Sequence, residues 1–252
     1  MSNPTFYFTD LSQYVYTADF TDAGHPLANL NDYDVKTVWA SNQIANQNLI
    51  INFGVPHSGS FLIIDNSNLA EQDGVQLEAA DNIAFTLNNV VVATNLHINA
   101  KDNSPNIFLF ATQVKQFWRL VFADSGTEIP YIGNLFLDSQ LTFESAYNYN
   151  FTVADNRFAT VEKKALSGRI YTTQLYGGRK EHHISFKLQS PALQLKYLLF
   201  HQTVQGDNHP FYFTDTDGNI HYVFIEDYSP PSGESPLRFN MDTLLLKDKY
   251  TG

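Results

Sequence analysis

Aromatic and β-branched residues alternate with polar ones along most of the chain, in short runs punctuated by Asn, Asp, Gly and Pro. Alternation of period two marks strands with one buried and one wetter face. Residues 5–20 read as an opening strand or two. The Asn/Asp-dense segment Leu27 to Trp39 reads as a structured loop, because short amide and carboxylate side chains bond back to nearby backbone. A strand is expected at Asn48 to Phe53, a break at Gly54-Val55-Pro56, and another strand from Ser60 to Ile64. Shorter strands follow at Gln76 to Ala79, Ala84 to Leu87, Val90 to Thr94 and Phe108 to Ala111, with an exposed polar excursion at Asn99 to Asn106. Gln116 to Phe122 is the clearest: Trp118, Leu120 and Phe122 share one face, Phe117, Arg119 and Val121 the other. Ile132 to Leu137 closes the series. About eight short strands with polar turns predict a β-sandwich.

Residues 140–156 change character and connect to a second half. There Arg157 to Leu166 is expected to pair with Gly168 to Leu175, followed by a turn at Tyr176-Gly177-Gly178-Arg179 and a strand from Glu181 to Leu188. Ser190 then suits an N-cap and Pro191 a first helical residue, predicting one helix near 191–205. Leu195, Leu198 and Leu199 mark one of its faces, and Gly206 stands where a left-handed C-cap belongs. A hairpin follows, Phe211 to Thr214 against Ile220 to Phe224, turning at Asp217-Gly218. Ser229 to Gly233 reads as a rigid turn and Leu237 to Leu246 as the last strand.

Composition agrees with this mainly β reading. Twenty Phe and 14 Tyr against two Met favour pleated surfaces over helical packing, and 43% hydrophobic residues fill one large core or two modest ones. Residues 1–139 carry 4 basic and 14 acidic side chains, a net of −10, while residues 140–252 carry 11 and 12, a net of −1. The asymmetry supports two domains, 1–139 and 140–252. It also opposes specific nucleic-acid binding by the first, since phosphate attraction needs concentrated positive charge. The absence of cysteine excludes disulfides and thiolate metal sites. No apolar segment approaches the ~20 residues that span a bilayer, and no basic-then-apolar leader is apparent. Membrane insertion is therefore not expected, and the product is expected to be released soluble in the cytoplasm.

Neither a Ser-His-Asp nor a phosphate-loop context is visible. Glu226-Asp227 are neighbouring carboxylates, but glycosidase carboxylates must flank a sugar at ~5 to 9.5 Å, which adjacency does not supply. His182 and His183 point to opposite faces of a strand, which keeps them from sharing one ion. His201, His209 and His221 have no evident ligand pattern around them, and no enzyme is expected.

Asn31-Asp32-Tyr33-Asp34 with Thr37 and Trp39, then NLIINFG, FWRLVF and IGNLFL, resemble a discoidin or galactose-binding-like jelly roll. The resemblance implies a structural Ca²⁺ at Asp32, Asp34 and Thr37, although the late acidic position of such sites is Asn134 here. It also implies Tyr33 as a ring that stacks on a sugar. The residues themselves equally suit a loop that satisfies its own polar groups without metal, with Trp39 in the core. The second half, with its hairpin, helix and "PFYF.D..G..HYV" segment, resembles the tail-tube-like domain of phage distal tail proteins. That resemblance implies a virion structural protein, made in the bacterial cytoplasm and residing in the tail. It would self-associate in a hexameric ring, with neighbouring tail tube and tail-tip proteins as partners and the β-sandwich projecting outward. The alternative is a carbohydrate-binding adhesion protein that takes a host-surface glycan.

Overall fold

The computed structural model describes residues 4–44, 46–72, 74–97, 100–101, 104–123, 128–142, 150–155, 159–164, 170–176, 180–204, 209–215, 217–228, 232–235 and 238–248. The chain is mainly β. Strands β1 (Thr5–Tyr7), β2 (Val15–Ala18), β3 (Trp39–Ala40), β4 (Gln47–Ser67), β5 (Gln76–Ala80), β6 (Val90–Ala93), β7 (Asn106–Phe122) and β8 (Tyr131–Asp138) come first. They are followed by β9 (Leu141–Thr142), β10 (Asn150–Asp155), β11 (Ala159–Lys164), β12 (Ile170–Tyr176) and β13 (Lys180–Gln189). Helix α1 (Pro191–Thr203) precedes β14 (Phe211–Thr214), β15 (Ile220–Tyr228), β16 (Ser232–Ser235) and β17 (Arg238–Asp248). Two compact units result: Tyr7–Gln140, the sandwich unit, and Met1–Phe6 with Leu141–Gly252, the helix-bearing unit.

The sandwich unit is built on β4, which pairs antiparallel with β7, β8 and β2, in the strand order β3-β8-β4-β7-β5-β6 with β2 added on β4. The break expected at Gly54-Val55-Pro56 is a bulge within one 21-residue strand. Gly54 adopts φ +73°, which its missing Cβ makes cheap, and its N–H donates to Asn52 Oδ1 at 2.8 Å. Register against β7 shifts between Asn52 and His57 and again between Gly59 and Phe61. Such shifts bend a strand and let the sheet fold over its core. Before the bulge β4 alternates buried and half-buried residues; beyond it Phe61 to Asp65 are all buried, as fits a strand covered on both faces.

Phe108 to Ala111 and Gln116 to Phe122 likewise belong to one strand, β7, in which Trp118, Leu120 and Phe122 are the buried side, as the alternation predicts. Ala84 to Leu87 is not a strand. Asn82 Oδ1 accepts the N–H groups of Thr86 and Leu87, each at 3.0 Å, and so closes a turn in which Phe85 takes φ +53°. Of the polar excursion expected at Asn99 to Asn106, residues 99, 102 and 103 lie outside the described residues; Asn106 is buried and its side chain holds the backbone of Lys101 and Ser104.

In the helix-bearing unit an eight-stranded sheet runs β10-β13-β17-β15-β14-β1-β9 with β16 on β17, and β11 and β12 form a separate hairpin. Thr5 and Phe6, expected in the first domain, fall in this unit instead. The physical reason is Phe6, fully buried with its ring 5.1 Å from Phe200, 5.3 Å from Phe211 and 5.4 Å from Phe213. Helix α1 starts as predicted: Pro191 is its first residue and Ser190 Oγ accepts the Leu193 N–H at 3.3 Å. Gly206 lies outside the described residues, as does part of the expected turn at Ser229 to Gly233.

The buried face of α1 is Leu193, Tyr197 and Phe200, continued by Val204. Leu195, Leu198 and Leu199 are 70%, 43% and 58% exposed. Both sets satisfy a helical period, so periodicity alone does not choose between them. The aromatic face packs into the Phe6 cluster and prevails. The β14–β15 hairpin turns at Gly218, φ +87°, with Asp215 Oδ1 accepting the N–H groups of Asp217 and Asn219 at 2.9 Å.

Phe6→Ala is expected to destabilise the helix-bearing unit by about 3–5 kcal/mol, the usual cost of emptying a buried aromatic site. Both tryptophans, Trp39 and Trp118, lie in the sandwich unit, so the loss should appear in far-UV circular dichroism of urea unfolding rather than in tryptophan fluorescence. An unchanged dichroism midpoint would contradict the place of β1 in this sheet.

Candidate functional site

The loop before Trp39 brings Asp32, Asp34 and Thr37 together in one turn. Asp32 Oδ1 accepts the Asp34 N–H at 2.8 Å and Oδ2 accepts the Thr37 hydroxyl at 2.6 Å, while Asp34 Oδ1 accepts the Lys36 N–H at 3.0 Å. These contacts hold the loop by its own donors. Three such side chains fall short of the roughly six to eight oxygens Ca²⁺ takes. Among the described residues no group of three or more His, Cys, Asp or Glu side chains is arranged to hold a metal. Asn134 is fully buried on β8, opposite Asp65 of β4.

Tyr33, expected to face a sugar, is turned inward. It is 9% exposed, its hydroxyl accepts the Leu11 N–H at 3.0 Å and donates to Thr9 O at 3.3 Å, and its ring packs edge-on against Phe136. Its φ of +56° permits this reversal. The ring is core, as is Trp39 at 0% exposure. His182, also at 0% exposure, lies beside the ring of His221, whose Nε2 donates to Asp215 Oδ2 at 3.0 Å.

A concave site lies elsewhere, where three loop segments of the sandwich unit meet. The cleft, about 410 Å³, is lined by Asp22 and His25, by Val38, Ala40, Ser41 and Asn42, and by Ile129 and Tyr131. Short strand β3 is its spine. Alternation along the strand sends Trp39 into the core, where its indole N–H donates to Thr21 Oγ1 at 3.2 Å, and leaves Val38 and Ala40 for the cleft. On one side the Asp22 N–H donates to Ala40 O at 2.9 Å and the Ala40 N–H to His25 O at 3.2 Å. On the other, Ala40 pairs with Tyr131 and the Ser41 N–H donates to Pro130 O at 3.0 Å. Buried Asn68 clamps the third segment, donating to Ile129 O at 2.9 Å and accepting the Tyr131 N–H at 3.1 Å.

Asp22 Oδ1 accepts both the Gly24 N–H and His25 Nδ1–H, each at 2.9 Å. The His25 hydrogen bond foremost, then the Gly24 N–H, holds the Asp22 carboxyl below the usual carboxylate range. The Ser41 hydroxyl is committed to Gln43 O at 3.0 Å rather than to His25, so the three groups do not form a nucleophile, base and acid series. Val38, Ile129 and Tyr131 supply apolar surface, and Asp22, His25 and Asn42 supply polar groups, the mixture that fixes a small ligand's orientation. None of the cleft residues stands out in the sequence, because they come from segments about a hundred residues apart. Asp22-Ala23-Gly24-His25 is a legible side-chain-to-backbone turn, but nothing local pairs it with Ile129 and Tyr131.

No family model and no curated protein sequence matches the chain. Among solved structures, the chain is similar to chitosan-binding module 1 of a chitosanase/glucanase from Paenibacillus sp. IK-5, at 17% identity, over 52% of this chain and 98% of that one, with a TM-score of 0.44. It is similar to a family 32 carbohydrate-binding module from C. perfringens solved with galactose, at 15% identity, 52% and 98% coverage and a TM-score of 0.45. It is also similar to the C-terminal domain of a chitobiase from Bacteroides fragilis, at 14% identity, 54% and 98% coverage and a TM-score of 0.44. None of these three is a phage tail protein.

Burial raises the Tyr33 hydroxyl to about 12, and burial likewise pushes Tyr14 and Tyr16 well above the ordinary tyrosine value. A phenol whose pKa is higher in the folded state contributes stability that is complete below its unfolded value of about 10 and is lost as pH rises through the folded value. Stability of the sandwich unit is therefore expected to fall between about pH 10 and 12, with tyrosinate absorbance at 295 nm appearing together with loss of tryptophan signal. Titration of all tyrosines near 10 without unfolding would contradict the inward position of these rings.

Proposed function

We propose that the sandwich unit is a non-catalytic glycan-binding module and that the cleft around Asp22, His25 and Tyr131 is its site. The observation that carries this reading is the cleft's composition. Sugars present an apolar C–H face and a ring of hydroxyls, and the cleft offers Val38, Ile129 and Tyr131 to the first and Asp22, His25 and Asn42 to the second. The rigid clamp by Asn68 and the strap of Asp22 onto β3 hold these groups before a ligand arrives, which lowers the ordering cost of binding.

The helix-bearing unit favours a second, compatible reading: self-association into a hexameric ring at a phage tail tip, continuing the tail tube and carrying the sandwich unit outward. The observation in its favour is the exposed face of α1, Leu195, Leu198 and Leu199. An apolar cluster of this kind on residues 140–252, whose net charge is only −1, suits a contact between like subunits.

A glycan array probed with the full chain tests the first reading. Tyr131→Ala is expected to weaken binding to the glycans that score by at least about tenfold, which corresponds to ~1.4 kcal/mol. Unchanged binding by this variant, with its tryptophan unfolding transition intact, would remove the cleft from the account. Light scattering after size exclusion tests the second. Rings at high concentration that dissociate in Leu195→Glu are expected, and a monomer at every concentration would contradict subunit contact through α1.

A further inference from the structure

We infer that the cleft selects sugars bearing a free amine over N-acetylated, neutral or acidic ones, with Asp22 as the residue that determines the choice. The inference rests on the glycan-binding reading of this site and adds the ligand's charge to it. Among the residues that line the cleft, Asp22 is the only carboxylate and there is no Lys or Arg. The surrounding sequence reinforces its sign: residues 1–139 carry 14 acidic against 4 basic side chains. A uronic or sialic acid entering the cleft therefore meets like charge without a cation to receive it, whereas an ammonium group meets an ionised partner.

The local geometry leaves Asp22 able to bind. Both of its side-chain hydrogen bonds, from Gly24 N–H and His25 Nδ1, use Oδ1, so Oδ2 is available to an incoming donor among the described residues. The same two donors fix the orientation of the carboxylate, and its side chain stays 44% exposed. An ammonium reaching Oδ2 makes a charge-assisted hydrogen bond, stronger than the one a hydroxyl makes there. An N-acetyl group forfeits that charge and adds bulk beside the carboxylate. Solvent screening of a half-exposed pair limits the discrimination to about three- to tenfold. The arrangement is not a metal site, since one carboxylate and one imidazole leave a hard cation's shell mostly unfilled.

The test uses the full chain and two soluble probes of equal length, a glucosamine oligomer and an N-acetylglucosamine oligomer. Binding is measured by calorimetry at about pH 5, where the sugar amine, more acidic than an alkyl ammonium because of its neighbouring oxygens, is charged and the Asp22 carboxyl, held below the usual carboxylate range, stays ionised. The glucosamine oligomer is expected to bind about three- to tenfold more tightly, a difference that Asp22→Asn abolishes. Glu71→Gln, an acidic residue that does not line the cleft, is expected to retain it. Equal affinities, or a preference that survives Asp22→Asn, would overturn the inference while leaving glycan binding at the cleft in place. Failure of wild type to bind either oligomer or any glycan on the array would overturn the glycan-binding reading itself.

Discussion

Strand β4 is the constraint on which the sandwich unit depends. It pairs with β7 along one edge and with β8 and β2 along the other, so its register sets theirs. A one-residue slip would turn Leu49 and Ile51 from the core face to the half-buried one, since β4 alternates there. The bulge at Gly54 changes how β4 is covered without interrupting it. Because β8 is held on β4 at Ile132↔Ser67, and β3 is held on β8 at Trp39↔Ile132, the position of the cleft follows from the same ladder. The cleft is thus a product of strand register, with its loops tied down by backbone hydrogen bonds at each side.

In the helix-bearing unit the corresponding role falls to an aromatic cluster. Phe6, Phe200, Phe211 and Phe213 come from β1, α1 and β14, and their tilted and edge-on contacts join the first residues of the chain to a sheet formed almost wholly by the last hundred or so. Rings of this size bury large areas and prefer such offset geometries. The cluster also decides which face of α1 turns inward, and hence which leucines are left for solvent or for a neighbouring subunit.

Much of the fold is legible in the sequence because strands report themselves by alternation. Trp118, Leu120 and Phe122 are buried where Phe117, Arg119 and Val121 are only partly covered, and Ser190-Pro191 opens the helix. What misleads is local punctuation. Gly54-Val55-Pro56 looks like an end and is a bulge, because a glycine with positive φ bends a strand as readily as it stops one. Ala84 to Leu87 looks like a strand, and Asn82 captures its backbone N–H groups instead. Tyr33 and Phe6 show the deeper limit. Whether an aromatic ring faces water or core depends on partners such as Phe136 or Phe200, which lie far away in sequence. The cleft is illegible for the same reason, since β3 and β8 meet only in three dimensions.

The central claim is that the sandwich unit takes a glycan in the cleft beside β3. The most direct measurement is a ¹⁵N-resolved NMR titration of the full chain with a glycan that scores on the array. The account predicts shift changes concentrated at the amides of Gly24, His25, Ser41, Asn42 and Tyr131. Saturable changes confined to another face, such as β6 or the turn at Gly54, with the cleft amides unmoved, would contradict it.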